Sequence, residues 1–230
     1  MSGNLIDYKD IHKGDDVYII GSGSSCDFID QSFFENKITI GINQVYKKYK
    51  TTYLVRKEFS LLKESVNNKD ADTTIFISKG NCGGNNNKNK EYINKIYPNS
   101  KNIIVYDHNN NGASPAHRIT KEKLNNLNDN QLVVSHSTIT TGIYLAAYMG
   151  AKNIILVGHD CGTIDAASNF KGYHTLKTMV QKNQKQYNNW LNVIEQDTIV
   201  LKKYLKNKYN CNVHSLNPFV SFKLEGHKFK

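Results

Sequence analysis

At 230 residues the chain is long enough for one sizeable domain with its own core. Its 39% hydrophobic and 22% charged content is that of a globular protein, and no apolar run approaches the roughly 20 residues that span a bilayer. The formal net charge is +10, but the excess is lysine scattered among Asn and Tyr, with Arg56 and Arg118 the only arginines. Nucleic-acid readers concentrate arginine and aromatics on one face, so nucleic acid is not an expected partner. The positive field still favours anionic ligands or a negative membrane surface.

Residues 1–10 lack the basic-then-apolar pattern of a signal peptide, so a cytoplasmic setting is expected. The first strand-like run, 17–21, breaks off into Gly21-Ser22-Gly23-Ser24-Ser25. A strand, a Gly/Ser loop and then a helix is how α/β proteins hold phosphate, because the backbone can approach the ligand and the helix start presents free N–H groups. The turn lacks the third glycine of a dinucleotide fingerprint and the Gly-Lys-Ser/Thr ending of a P-loop. Read alone, it is equally plain strand–helix punctuation. A second run, 37–42, ends at Asn43-Gln44. At a strand's carboxyl end Asn43 is placed either to bond a base, ribose or sugar, or to cap a turn.

Runs 52–55 and 73–78 follow, the first leading into Arg56 and Lys57. The polar, Gly- and Asn-rich insert 79–90 reads as a loop. After the run 102–106, the long polar stretch 106–130 reads as a lid or a mobile connection, and 131–135 as a further strand. Thr138-Ile139-Thr140-Thr141-Gly142 then precedes an Ala- and Leu-rich helical stretch, 141–149. Thr140 or Thr141 there makes either an N-cap or, with helix N–H groups, an anion site. The run 153–159 releases into Gly158-His159-Asp160-Cys161. These residues are too close in sequence to complete a metal site, and Asp160 is better read as an acceptor for ligand hydroxyls. In the polar loop Asn169-Phe170-Lys171-Gly172-Tyr173-His174, His174 is either merely exposed or suited to proton transfer, since an imidazole titrates near working pH. A long helix, 187–209, carries Trp190, Val193, Ile194, Thr198, Leu201 and Leu205 near helical spacing, and 212–216 reads as the last strand. The Lys- and Phe-bearing segment 222–230 reads as a frayed tail or as a peripheral membrane contact.

Short runs that are apolar throughout suit parallel strands covered on both faces. Helical patterns lie between many of them. The expected architecture is therefore a single Rossmann-like α/β domain over 1–230, with an open, mostly parallel sheet, helices on both faces and a polar lid-like insertion at 106–130. Cys26, Cys82, Cys161 and Cys211 are scattered without a Cys-x-x-Cys pair, which suggests neither a zinc ribbon nor a disulfide framework. No metal ligand set is expected.

Taken in order, these motifs resemble the bacterial lipooligosaccharide sialyltransferases. More broadly they resemble a set of Rossmann-like proteins related to 6-hydroxymethylpterin diphosphokinase (MptE-like), which also holds glycosyltransferases linked to flagellin modification. The resemblance covers most of the chain. It rests on Gly21–Ser25, on Gly41-Ile42-Asn43-Gln44, on Ile139-Thr140-Thr141-Gly142, on Leu156-Val157-Gly158-His159-Asp160, on Gly172-Tyr173-His174 and on Asn217-Pro218. It implies a nucleotide-sugar donor, with a CMP-sugar first, bound by Gly21, Ser22, Gly23, Ser24, Ser25, Asn43, Thr140, Thr141, Gly142, Gly158 and Asp160. It further implies His174 as general base in an inverting transfer to a glycan or protein hydroxyl, with no cofactor and no metal, and an oligomeric protein. Gly162 and Ser168 stand near the positions where the family has two phosphate-binding tyrosines, and Thr138 where an arginine is common. Arg56 and Lys57 are expected to supply positive charge in their place, and with Tyr173 they are the residues expected on the substrate side. Two other readings stay open: a diphosphokinase that needs Mg²⁺ to neutralise a transferring phosphoryl group, and a non-catalytic nucleotide or glycan sensor.

Overall fold

The computed structural model describes residues 3–59, 62–68, 72–80, 86–108, 118–162, 164, 167–173 and 184–216, in the last segment with side chains from 189 onward. Seven of the apolar runs form one sheet: β1 (Asp16–Ile20), β2 (Ile38–Ile42), β3 (Tyr53–Arg56), β4 (Thr74–Ser78), β5 (Ile103–Tyr106), β6 (Asn153–Val157) and β7 (Asn212–Ser215). Their order is β5-β4-β3-β2-β1-β6-β7, and every neighbouring pair is parallel. Among the described residues, five α-helices accompany them: α1 (Leu62–Asn68), α2 (Lys88–Ile96), α3 (Lys121–Asn125), α4 (Thr138–Tyr148) and α5 (Gln184–Tyr209). The α/β architecture expected from the chain is the one observed.

Strand alternation explains the layers. Val17, Ile19, Ile40, Val55, Phe76 and Tyr106 face α4 and α5, where Ile143, Leu145 and Leu201 complete one core. On the opposite face Leu54, Ile75, Ile77 and Ile103 pack against Leu62 of α1 and Ile93 of α2. A third cluster on that face joins Ile20 and Val157 to Cys26, Phe34 and Tyr49 of the turns after β1 and β2. Each fully buried Ile, Leu or Phe stabilises by about 1.5–3 kcal/mol relative to exposure, so a sheet apolar on both faces requires both helical layers.

Residues 131–135 depart from expectation. They make one isolated bridge, Asp107 to Gln131, and no strand. Leu132, Val133 and Val134 are nevertheless fully buried, because this segment runs through the core between α3 and α4. An apolar run reports burial, and burial alone does not distinguish a strand from a buried connector. α4 also starts earlier than its sequence pattern implies. Ser137 is its N-cap, its Oγ accepting from Ile139 N at 3.4 Å, so Thr140 and Thr141 lie inside the helix. The described part of the 106–130 stretch is anchored to the core at a few points: Leu124 of α3 is fully buried, and Arg118 Nε and the Ile119 amide both donate to Asp197 Oδ1 of α5. Residues 109–117 and, in the 79–90 insert, 81–85 lie outside the described residues.

The chain steps outward from β1 to β5, and α4 then returns it to lay β6 on the free side of β1. The β1/β6 junction is therefore the topological switch point, where α/β sheets open a crevice beyond their carboxyl ends. The two strand ends nearly touch there. Gly21 N donates to Val157 O at 2.7 Å, and a Cβ on Gly21 would come to 2.5 Å from Gly158 O. Gly158 sits at φ +62°, a left-handed conformation that glycine adopts freely. We expect Gly21→Ala to lower unfolding stability by about 1–3 kcal/mol, read as a lower urea midpoint with an unchanged m-value. An unchanged midpoint would refute the close approach.

Candidate active site

A crevice of about 450 Å³ lies at the carboxyl ends of β1, β2, β3 and β6, within the size range of small-molecule sites. Residues 21–23, 42–44, 56–58 and 158–162 enter it as the strand exits, and 136–139 as the approach to and first turn of α4. Ser168, Asn169 and Tyr173 close one side, and Trp190, Leu191 and Ile194 of α5 the other.

The Gly/Ser loop is shaped by its neighbours. Gly23 N donates to Gly158 O at 2.8 Å, and a Cβ on Gly23 would fall on the Asp160 carboxylate. Asp160 is buried and accepts from both Ser25 N, at 2.8 Å, and Ser25 Oγ. The carboxylate thus pins the 3-10 turn Ser24–Phe28 to the β6 exit, the kind of bond an N-cap acceptor makes. Of the expected loop residues, Gly21, Ser22 and Gly23 line the crevice, whereas Ser24 and Ser25 are buried behind it. Ser22 Oγ accepts from Asn169 Nδ2 at 2.8 Å, tying the loop to the segment that carries Tyr173.

Asn43 enters the crevice at φ +56°, a region that Asn tolerates better than most side chains. Its amide donates to Val55 O at 3.0 Å and its carbonyl accepts from Arg56 Nη1 at 3.2 Å. The same Nη1 donates to Ser65 Oγ at 2.8 Å, so Arg56, only 3% exposed, is a strut between the β2 and β3 exits. Burial lowers its pKa, although a guanidinium stays charged. The Tyr173 hydroxyl lies within reach of the Ser22 and Asn43 side chains and the Gln44 backbone, and burial raises its pKa, keeping it protonated. Lys57, 8% exposed, extends Nζ to Ser135 O at 2.9 Å and His136 O at 3.0 Å. This bond crosses the crevice floor and fastens the β3 exit to the approach to α4.

At α4, Ser137, Thr138 and Ile139 line the crevice, while Thr140, Thr141 and Gly142 do not. Thr140 Oγ1 donates to Ser137 O at 2.7 Å and lies 2.8 Å from Ser135 Oγ. Gly142 allows the helix to sit on the sheet, since a Cβ there would come to 2.7 Å from Ile42 Cδ1. Gly162 and Ser168 both face the crevice. His174, Asn217-Pro218 and 222–230 lie outside the described residues.

The crevice residues that sequence pattern did not single out for the site include Ser137, Asn169, His136, His159 and Trp190. Trp190 carried a signal, being the chain's one tryptophan, near the start of a helix and followed by Leu191 and Ile194 on one side. Its ring meets His136 edge to face, centroids 5.7 Å apart. His159 Nε2 is 2.9 Å from Thr198 Oγ1 on α5. That hydroxyl donates to Ile194 O, so Nε2 is the donor and carries the ring proton. Cys161, at φ +47°, places Sγ 3.8 Å from His159 Nε2, and burial raises its thiol pKa so that it stays protonated. Among the described residues, no group of three or more His, Cys, Asp and Glu could hold a metal ion, and no helix is long and apolar enough to cross a membrane.

No protein-family model matches the chain, and no curated protein is similar to it in sequence. Solved structures share its fold. The MAf glycosyltransferase from Magnetospirillum magneticum AMB-1 superposes with a TM-score of 0.55 at 13% identity, over 98% of this chain and 38% of the larger protein. The sialyltransferase CstII from Campylobacter jejuni, in complex with the substrate analogue CMP-3FNeuAc, superposes with a TM-score of 0.50 at 18% identity, over 90% of this chain and 83% of CstII.

Burial without a compensating acid pushes His159 down to about 4, whereas an unfolded-chain histidine titrates near pH 6.5. Between those values the unfolded state binds the extra proton. The contribution of neutral His159 is therefore complete above about pH 6.5 and falls as pH drops, by about 2 kcal/mol at pH 5. His12, His136 and His214, also lowered by burial, act in the same direction. Melting temperatures at pH 7.5 and 5 should show this loss, with His159→Gln visibly less pH-dependent. Equal pH dependence in the variant would refute it.

Proposed function

We propose that this chain is a glycosyltransferase that takes a nucleotide-activated sugar, with a CMP-sugar first, and transfers the sugar to a hydroxyl of a glycan or protein. The observation that carries this reading is the convergence of Ser22, Asn43, Tyr173, the start of α4 and the buried Lys57 on one crevice at the switch point. The fold shared with CstII, whose structure holds CMP-3FNeuAc, adds to it.

In this reading the base and ribose lie along Asn43, Gln44 and Tyr173, which offer amide and phenol hydrogen bonds. The phosphate lies between the Gly21–Gly23 backbone, the Ser137 and Thr138 hydroxyls and Lys57. His174, one residue beyond Tyr173, accepts the proton of the acceptor hydroxyl. The resulting oxygen attacks the anomeric carbon from the face opposite the phosphate. The carbon–oxygen bond to phosphate breaks, its electron pair leaves with the nucleotide, and the configuration inverts. Preorganised hydroxyls, N–H groups and an ammonium in a confined site stabilise the charge that develops on the leaving phosphate, which is the role a metal has in other transferases. Thr138, Gly162 and Ser168 remove the arginine and the two tyrosines of the sialyltransferase pattern. Lys57 is then the main crevice cation, and a donor sugar other than sialic acid is the preferred reading.

A panel of CMP- and UDP-sugars, with release of free nucleotide as the signal, tests the proposal. At least one donor should be turned over, and His174→Ala should lower that turnover about 100-fold or more while leaving nucleotide binding, read as a thermal shift, in place. Absence of turnover across the panel, or full activity in His174→Ala, would contradict it.

A further inference from the structure

The crevice has two chemically different sides. Ser22, Asn43, Asn169 and Tyr173 make one side a wall of hydrogen-bonding groups. Across from them, His136, Trp190, Leu191 and Ile194 make an aromatic and apolar corner where the approach to α4 meets α5. Nothing in the nucleotide reading uses that corner.

Two features of the corner suit a ligand. Trp190 is half-buried: one part of its surface packs in the core cluster, and it still lines the crevice. His136 is held from both sides, its carbonyl by Lys57 and its ring by the edge-to-face contact with Trp190. The ring's Nδ1 is buried with no hydrogen-bond partner among the described residues. An orphaned N–H is rarer in proteins than an orphaned lone pair, which places the proton on Nε2. Nε2 is then a donor on the ring edge that remains accessible. The charged groups around the ring are Lys57 from the β3 exit, Arg118 from the segment before α3 and Asp197 from α5. Burial and the two cations outweigh Asp197, so the imidazole is neutral at neutral pH. A neutral donor beside an indole ring does not demand an anionic partner. It suits a saturated ring that offers C–H groups to the indole and an oxygen substituent to the imidazole.

We propose that this corner is the subsite for the glycosyl ring of the donor, with Trp190 as the stacking face and His136 Nε2–H donating to a ring substituent. The proposal rests on the nucleotide-sugar reading and assigns the part of the donor that the nucleotide contacts leave open. It makes Trp190 and His136 determinants of donor-sugar specificity.

Trp190, as the chain's one tryptophan, is its own reporter. Emission excited at the red edge, beyond tyrosine absorption, is followed while the wild-type protein is titrated with CMP, UDP and the CMP- and UDP-sugars of the panel, with calorimetry for affinity. The nucleotide-sugar that binds should shift or quench the emission, and its free nucleotide should not. His136→Leu should weaken that nucleotide-sugar about tenfold and leave the affinity for the free nucleotide unchanged. An equal emission change with CMP or UDP alone would give the corner to the base and overturn the proposal. So would a nucleotide-sugar that binds by calorimetry without moving the emission, or a His136→Leu variant that loses both ligands equally. If no nucleotide and no nucleotide-sugar binds at all, the glycosyltransferase reading itself fails.

Discussion

The structure depends on the contact between the ends of β1 and β6. Gly21 and Gly158 bring two backbones closer than any side chain permits, and Asp160 locks the arrangement by accepting from both Ser25 N and Ser25 Oγ. These bonds are short, charge-assisted and buried, the class that holds geometry best. With the strand ends fixed together, the β1 loop turns toward one face of the sheet while α4 covers the other, and the crevice is the space left between.

A second constraint works across the sheet. Arg56 ties the β3 exit to Asn43 and Ser65, and Lys57 ties it to residues 135 and 136. Two consecutive basic residues, one the last of β3 and the other just beyond it, thus serve different structures. Both are buried, and ammonium and guanidinium groups taken from water require hydrogen-bond partners to be tolerated. Their carbonyl and hydroxyl partners hold the crevice walls in register. The same positive charge makes the floor favourable for an anion.

The strands were largely legible, because short apolar runs bounded by polar turns report parallel strands buried on both faces. Residues 131–135 show the limit of that signal, since the core buries a connector as readily as a strand. The Gly21/Gly23 pair was legible as a tight turn, but its cause was not. The two glycines admit Gly158 and Asp160, which are 137 residues away by sequence for Gly21 and Gly158, and only the β1–β6 pairing brings them together. Thr140 and Thr141 read as helix-start residues because hydroxyls favour caps, yet Ser137 takes that role, Thr140 bonds back to Ser137 O within the first turn, and Thr141 is buried inside the helix. Lys57 near residues 135 and 136, and His136 against Trp190, are long-range pairings with no local pattern, so no reading of spacing reaches them.

The central claim is that the β1/β6 crevice is the nucleotide site. Amide chemical-shift mapping during a CMP titration tests it most directly. The largest shifts should fall on the amides of Gly21, Ser22, Gly23, Asn43 and Gly158, saturating together with one dissociation constant. Shifts spread over the exposed lysine-rich surface, or absent from these five amides at saturating CMP, would contradict it.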